Sequence, residues 1–330
     1  MASTFSTIER LDERITQVRV PLPFPLRYIN AYLLRGSQGY TVIDPGLNTP
    51  DSMLAWDEAL HAAGIRFSDI KQIVLTHHHP DHVGLAGTFQ ERSGAPVLLS
   101  EQGIAQVAYL WREEREATTE IHAQFTRHGM DSITGERMLE HLEEFVSLVS
   151  PLPTFTPLPA NSTLTMGDRD YRTILTSGHA YGQLMLLDEA SGDLFCGDHV
   201  LPRISPNISL LPRFDANPLQ SFLDSLAAIA DLPVRRVFPG HRESFTDFAE
   251  RCKSLIRHHH DRLAQMLGRL DEPTTGYALC VSFFGQSLSI HQLRFAFAET
   301  LAHLVYLREQ GKVAELPPDE TNTAIRYKRI

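Results

Sequence analysis

The chain has 330 residues, 42% hydrophobic and 21% charged, which suits a soluble globular protein with one large domain or a core domain plus a smaller one. Its formal charge of −10 is uneven: residues 1–250 hold 19 Lys and Arg against 32 Asp and Glu, while residues 251–330 hold 11 against 8, so the larger part repels a phosphate backbone. Three cysteines without metal-clip spacing exclude a disulfide framework, and neither a membrane-length apolar run nor an export signal is present, so a cytoplasmic protein without membrane contact is expected.

The early segments read as strands separated by turns. Residues 15–20 (ITQVRV) alternate, residues 28–34 (YINAYLL) are apolar and aromatic, and residues 40–43 (YTVI) run into the turn Asp44-Pro45-Gly46. Residues 51–63 predict a helix with Asp51 as its N-cap. Residues 70–75 (IKQIVL) form a strand that ends in a run of histidines, and residues 96–100 (PVLLS) form another.

Residues 101–149 change character. They are rich in glutamate and helical in pattern, fitting two or three helices with Glu113, Glu114, Glu116 and Glu120 on solvated faces. The proline-rich stretch 151–159 then separates this insert from further strands near 171–176, 183–188, 193–196 and 236–238. From about Ser254 the chain turns helical again. Residues 289–310 align Leu293, Phe297, Leu301, Leu304 and Leu307 on one stripe, Gly311 stops the helix, and KVAEL follows as a short strand. This suggests a catalytic domain over 1–250, with its helical insert at about 101–150, and a small C-terminal module over 251–330.

The strongest chemical signal is Thr76-His77-His78-His79-Pro80-Asp81-His82-Val83-Gly84, placed where a strand ends and a helix begins. His77 and His79 project from one side of the strand end, and the turn through Pro80 brings Asp81 and His82 to the same point. Three imidazoles and a carboxylate within six residues suit a divalent metal, zinc above all. His179, Asp198 and His241 each follow a glycine at a strand end, where a tight turn lets the backbone approach a metal closely.

This set, His77-x-His79-x-Asp81-His82 followed by His179, Asp198 and His241, resembles the metallo-β-lactamase-fold hydrolase superfamily across about residues 15–250. The resemblance implies an α/β (α+β) class protein, an αββα sandwich with a dinuclear metal site at one edge. It implies that His77, His79 and His179 hold the first of two Zn²⁺ ions, and Asp81, His82 and His241 the second, with Asp198 bridging. Mn or Fe are the other divalent ions such a site accepts. Asp44 resembles the family's outer carboxylate that steadies the histidine loop, and His199 is assigned a similar supporting place. A bridging hydroxide would be the nucleophile, with Asp81 orienting it and carrying the proton.

The segment 197–208 (GDHVLPRISPNI) and the stretch HQLRFAFAETLAHLVYLREQGKV resemble the subgroup of this superfamily that carries a C-terminal winged-helix-like module. That subgroup cleaves esters, thioesters and phosphodiesters, so several readings stand. The first is a zinc hydrolase of a small ester, thioester or lactone. The second is a phosphodiesterase or single-strand endoribonuclease, and the third a nucleic-acid-binding regulator, which the intact ligand set disfavours. The expected partner is a small molecule rather than nucleic acid, with a homodimer possible. Tyr181 is a candidate substrate contact, Phe24, Pro25, Leu26, Met130 and Met138 are candidate cleft walls, and His258, His259 and His260 are expected on a solvated helix face.

Overall fold

The computed structural model describes residues 8–112, 116–320 and 322–330. Glu113 and Glu114, expected on a solvated face, lie outside the described residues.

Two β-sheets carry the fold. The first has seven strands in chain order: β1 (Ile8–Arg10), β2 (Ile15–Pro21), β3 (Tyr28–Gly36), β4 (Gly39–Ile43), β5 (Ile70–Val74), β6 (Val97–Leu99) and β7 (Phe155–Pro157). It is antiparallel up to β4 and parallel from β4 to β7. The second has the order β12-β11-β10-β9-β8, from β8 (Thr163–Met166), β9 (Arg169–Thr176), β10 (Gln183–Asp188), β11 (Asp193–Gly197) and β12 (Arg236–Pro239).

Side-chain alternation explains how the sheets stack. Tyr32, Leu34, Ile43 and Val74 from the first sheet meet Leu184, Leu186, Phe195 and Phe238 from the second in one buried layer. Their neighbours in sequence, Leu33, Val42, Ile73, Met185, Leu194 and Val237, face outward into the other core, under the helices. Those helices include α1 (Pro50–Ala63), against β2, and α3 (Ala86–Ser93), against β5, with the single turn α2 (Pro80–Val83) between them. The insert supplies α4 (Glu101–Leu110), α5 (Glu116–Arg127) and α6 (Ser132–Ser147). α7 (Pro218–Ile229) covers β9 and packs on α8 (Phe248–Leu267). The result is the expected αββα layering.

The remainder is α9 (Gly276–Phe284), α10 (Ile290–Glu309) and a small sheet ordered β13-β15-β14 from β13 (Thr274–Thr275), β14 (Val313–Leu316) and β15 (Arg326–Arg329). The predicted stripe of α10 is buried throughout, but so are Ala298, Thr300, Ala302, His303 and Val305 on its other sides. The helix packs on α9 and β14, and also on α6, α7 and α8. Its apolar residues join the same core as the helices of the larger part.

Several boundaries differ from expectation. α1 is capped by Thr49, whose side chain accepts from the Ser52 N–H, because Pro50 takes the first helical position; Asp51 lies inside. α8 begins at Phe248, so one helix runs across the boundary expected between residues 250 and 251. The proline-rich stretch contains the edge strand β7, a position where Pro157 needs no donor. His259 is fully buried against His303 at 3.2 Å, whereas His260 is exposed; a helix turns successive residues by about 100°, so three adjacent histidines cannot share one environment.

Candidate metal centre

The site is built where strands stop. β5 ends at Val74, and the following loop is pinned by Asp44, itself just past the end of β4 at φ 50°. Asp44 Oδ1 accepts the Thr76 N–H at 2.8 Å, while Oδ2 accepts from Thr76 Oγ1 at 2.6 Å and from His82 Nδ1 at 2.8 Å. Pro80 then starts α2, which turns Asp81 and His82 back toward His77. From above, Trp111 Nε1 donates to the His78 carbonyl at 2.8 Å, tying the insert to the histidine loop.

The second sheet supplies the other half. His179 follows β9, Asp198 follows β11 and His241 follows β12. The glycine before His241 is demanded by space: a Cβ on Gly240 would lie 2.2 Å from Asp198 Oδ1. The turn is held to the first sheet by Asn30 Nδ2, which donates to the Pro239 and Arg242 carbonyls, and by Tyr32 Oη, which donates to the Pro239 carbonyl.

Hydrogen bonds on the far side of each ring set the tautomers. His77 Nδ1 bonds Thr76 Oγ1 at 2.9 Å, His179 Nδ1 donates to the Asn207 carbonyl at 2.8 Å, and His241 Nδ1 donates to the Tyr28 carbonyl at 3.0 Å. With His82 held by Asp44, four rings turn Nε2 inward. His79 presents Nδ1, 3.0 Å from His77 Nε2. His241 Nε2 stands 3.1 Å from Asp81 Oδ2 and 3.3 Å from Asp198 Oδ2; His82 Nε2 is 3.5 Å and His179 Nε2 3.8 Å from that same Asp198 oxygen.

These atoms form three overlapping triads whose ligand atoms lie within 4.8 Å of one another: His77, His79 and His179; His77, His82 and Asp198; Asp81, His82 and His241. Buried His82 Nε2, His179 Nε2 and Asp198 Oδ1 have no hydrogen-bond partner. Orphaned buried imidazole nitrogens and a carboxylate oxygen aimed at one place fit metal cations.

Electrostatics agree. Burial opposes every charge here, and it keeps His77 and His79 well below the usual imidazole range and His179 below it. At His82 and His241 burial is overcome, chiefly by Asp198, so His82 is held well above its usual range and His241 is raised to about 10. Against their own burial, Asp198 is pulled well down, mainly by His241 and His82, and Asp81 is lowered chiefly by His82. The carboxylates thus hold protons on adjacent imidazoles, positive charge that a metal would replace.

Other expected residues sit differently. His199 is buried edge-on to Phe222 at 5.0 Å, and neither ring nitrogen bonds a partner. Tyr181 is exposed and leans on Phe214. Met130 and Met138 belong to the buried core rather than to a cleft wall. Phe24 is half-buried, stacked on His291 at 4.5 Å and on Phe145 at 5.6 Å. Asn207 was missed as a supporting residue because its bond to His179 comes from a backbone carbonyl, which carries no side-chain signature. A second buried group, His259, Glu299 and His303, has its carboxylate bound to Arg262 and Asn207, so its positive partner is already present.

A family model described as the metallo-beta-lactamase superfamily matches residues 25–241. The chain belongs to that superfamily. A model of the metallo-beta-lactamase-like C-terminal domain matches residues 263–330. The probable metallo-hydrolase YqjP of Bacillus subtilis (strain 168) is 27% identical over 315 residues, covering 91% of this chain and 94% of that protein. A crystal structure of a metallo-beta-lactamase family protein from Thermus thermophilus superposes with a TM-score of 0.86 at 35% identity, covering 97% of this chain and 100% of that one. The acyl-coenzyme A thioesterase MBLAC2 of Gallus gallus is 27% identical over 228 residues, covering 66% of this chain and 73% of that protein. This metallo-beta-lactamase superfamily member is accordingly a metal-dependent hydrolase with candidate ligand groups of His and Asp. Among the described residues no helix is long and apolar enough to cross a membrane.

Proposed function

We propose that the chain is a dinuclear zinc hydrolase of a small carbonyl substrate: an ester, thioester or lactone. His77, His79 and His179 would hold one ion and Asp81, His82 and His241 the other, with Asp198 reaching both. The observation that carries this reading is the middle triad, His77, His82 and Asp198, which joins the outer two into one centre. Nitrogen-rich donors favour zinc, with manganese and iron as competitors for the same seat. When bound, the metal pair supplies an activated water at neutral pH and a Lewis acid for the carbonyl oxygen.

The chain's own residues do the rest. Asp81, partly exposed and 3.1 Å from His241, is placed to orient the attacking water and carry its proton to the leaving group. Asp44 and Asn207 keep the ring nitrogens aimed inward. The similarity to a thioesterase puts thioesters first among the carbonyl substrates. This reading takes the protein as cytoplasmic, acting on a small molecule as a monomer or homodimer.

One observation favours the second reading, phosphodiester or single-strand RNA cleavage. From α8 to β15 the order helix, strand, helix, helix, strand, strand resembles that of a winged helix. Against it, α10 is buried on nearly every side and offers no face to a groove.

The test is a panel of thioesters, lactones, aryl esters, phosphodiesters and short RNAs, assayed with metal quantified and after chelation. Chelation-sensitive cleavage of carbonyl substrates is expected. Cleavage confined to phosphodiesters would replace the first reading with the second.

A further inference from the structure

Among the described residues many arginines are ion-paired: Arg236 with Asp12 and Asp193, Arg213 with Glu116 and Glu120, Arg169 with Asp188, Arg262 with Glu299. Arg294 is different. Among the described residues no carboxylate lies within 4.0 Å of it and no hydrogen bond engages it. Its guanidinium instead lies over two aromatic rings, 4.7 Å from the centre of Phe145 and 4.4 Å from that of Phe295. The side chain is enclosed by protein yet keeps contact with solvent. Enclosure lowers Arg294 to about 10, so it remains a cation at neutral pH.

Its position is fixed relative to the metal centre by named links. The carbonyl of the next residue, Phe295, accepts from Asn207 Nδ2 at 3.1 Å, and the Asn207 carbonyl holds His179. One turn earlier, His291 stacks on Phe24, in the loop whose end, Tyr28, holds His241. The opposite charge that acts on Arg294 is that of Asp81. The titratable neighbours are His291, lowered to about 4, and His141, also lowered; both are neutral at pH 7 and neither competes. Glu144 lies 3.8 Å from His141 and makes no ion pair with Arg294.

An enclosed, unpaired guanidinium is unfavourable in the free protein and becomes favourable when an anion meets it. Cation–π contact with two aromatic rings engages none of its N–H donors, and a guanidinium grips a carboxylate or phosphate with those donors through two parallel bonds. We propose that Arg294 is an anion-binding residue beside the candidate metal centre, and that the substrate is a carbonyl compound with a carboxylate or phosphate away from the bond cleaved. This rests on the hydrolase reading above and narrows it: in a chain of net charge −10, anionic substrates are selected by one local cation.

The test uses the zinc-loaded full chain with thioesters of equal length ending in a carboxylate, a phosphonate or a neutral methyl ester. For Arg294→Gln, KM for the charged substrate should rise at least about tenfold with kcat little changed, the scale of one charged hydrogen-bonded contact. The neutral substrate should be unaffected, and Arg294→Lys should fall between. Which charged arm shows the effect tells carboxylate from phosphate. Independently of turnover, calorimetry with glutarate and phenylphosphonate should show binding to the wild type, lost in Arg294→Gln at unchanged metal content. Equal KM values for charged and neutral substrates, or equal losses on both in Arg294→Gln, overturn the inference. If no carbonyl substrate is cleaved, the hydrolase reading fails, and calorimetry alone then supports or overturns the anion site.

Discussion

The Asn207 carbonyl accepts the Nδ1 proton of His179 at 2.8 Å, and the same residue's amide donates to Glu299 on α10 at 3.0 Å. A candidate metal ligand of the larger part is thereby aimed by a residue anchored on the C-terminal helix. Asn207→Ala removes that anchor while leaving the backbone carbonyl present. Metal affinity should fall about 10- to 100-fold, the usual cost of losing an outer support, as measured by competition with a zinc-binding dye. Unchanged affinity would mean that the carbonyl needs no anchoring.

Asp81 and His82 test the ligand set directly. Asp81→Ala should reduce turnover at least about 100-fold, the scale of lost proton transfer, and His82→Ala should lower bound metal, read by elemental analysis. Near-normal turnover and metal content in both variants would discard the assignment.

Asp44 accepts three hydrogen bonds through two oxygens. An amide nitrogen in Asp44→Asn would donate where His82 and Thr76 also donate. The His82 tautomer should then be lost, and metal affinity should drop by about 10-fold or more. A crystal structure of the variant would show the His82 ring turned.

Metal uptake should release protons. In the metal-free centre Asp198 holds His82 above its usual range and His241 at about 10, so protons occupy nitrogens that metal requires. Affinity should therefore rise with pH through the neutral range and toward about 10. Calorimetry in buffers of different ionisation enthalpy measures the protons released; none released at pH 7 would contradict the protonated centre.

Acid should loosen the junction of α8 and α10. His259 is lowered to about 2 and His303 to about 3, each chiefly by burial, against 6.5 for an ordinary imidazole. The unfolded chain then binds more protons below pH 6.5, so the stability these residues contribute is intact above that value. It is lost as pH falls toward 3, by about 1.4 kcal/mol per pH unit for each histidine. Urea unfolding at pH 7 and pH 5 should show the loss, and His303→Gln should flatten it.

Much of the centre was legible because its densest part is contiguous. His77, His79, Asp81 and His82 are brought together by one loop and one proline, and His179, Asp198 and His241 each announced themselves by a glycine after an apolar strand. Asp44 was legible from its turn. Arg294 was not: on the sequence it only balances a glutamate on a helix, and its lack of a partner emerges when α10 docks beside α6. The strands β1, β7, β8 and β13 also escaped notice, since two to four residues are too few to show an alternation. The separate look of residues 251–330 came from a composition shift, which says nothing about α8 continuing across it or about the shared core beneath.

The anchoring of Asn207 on Glu299 also sets an order of events during synthesis. Every residue of the three ligand triads has been made by His241, yet the helix that steadies His179 and carries Arg294 begins only at Ile290. A nascent chain therefore carries every candidate ligand before the helix that completes its core. The ribosome must deliver α10 before the hydrolase has its full set of supports, so a chain cut short after His241 would hold all its candidate ligands and lack the helix that anchors Asn207.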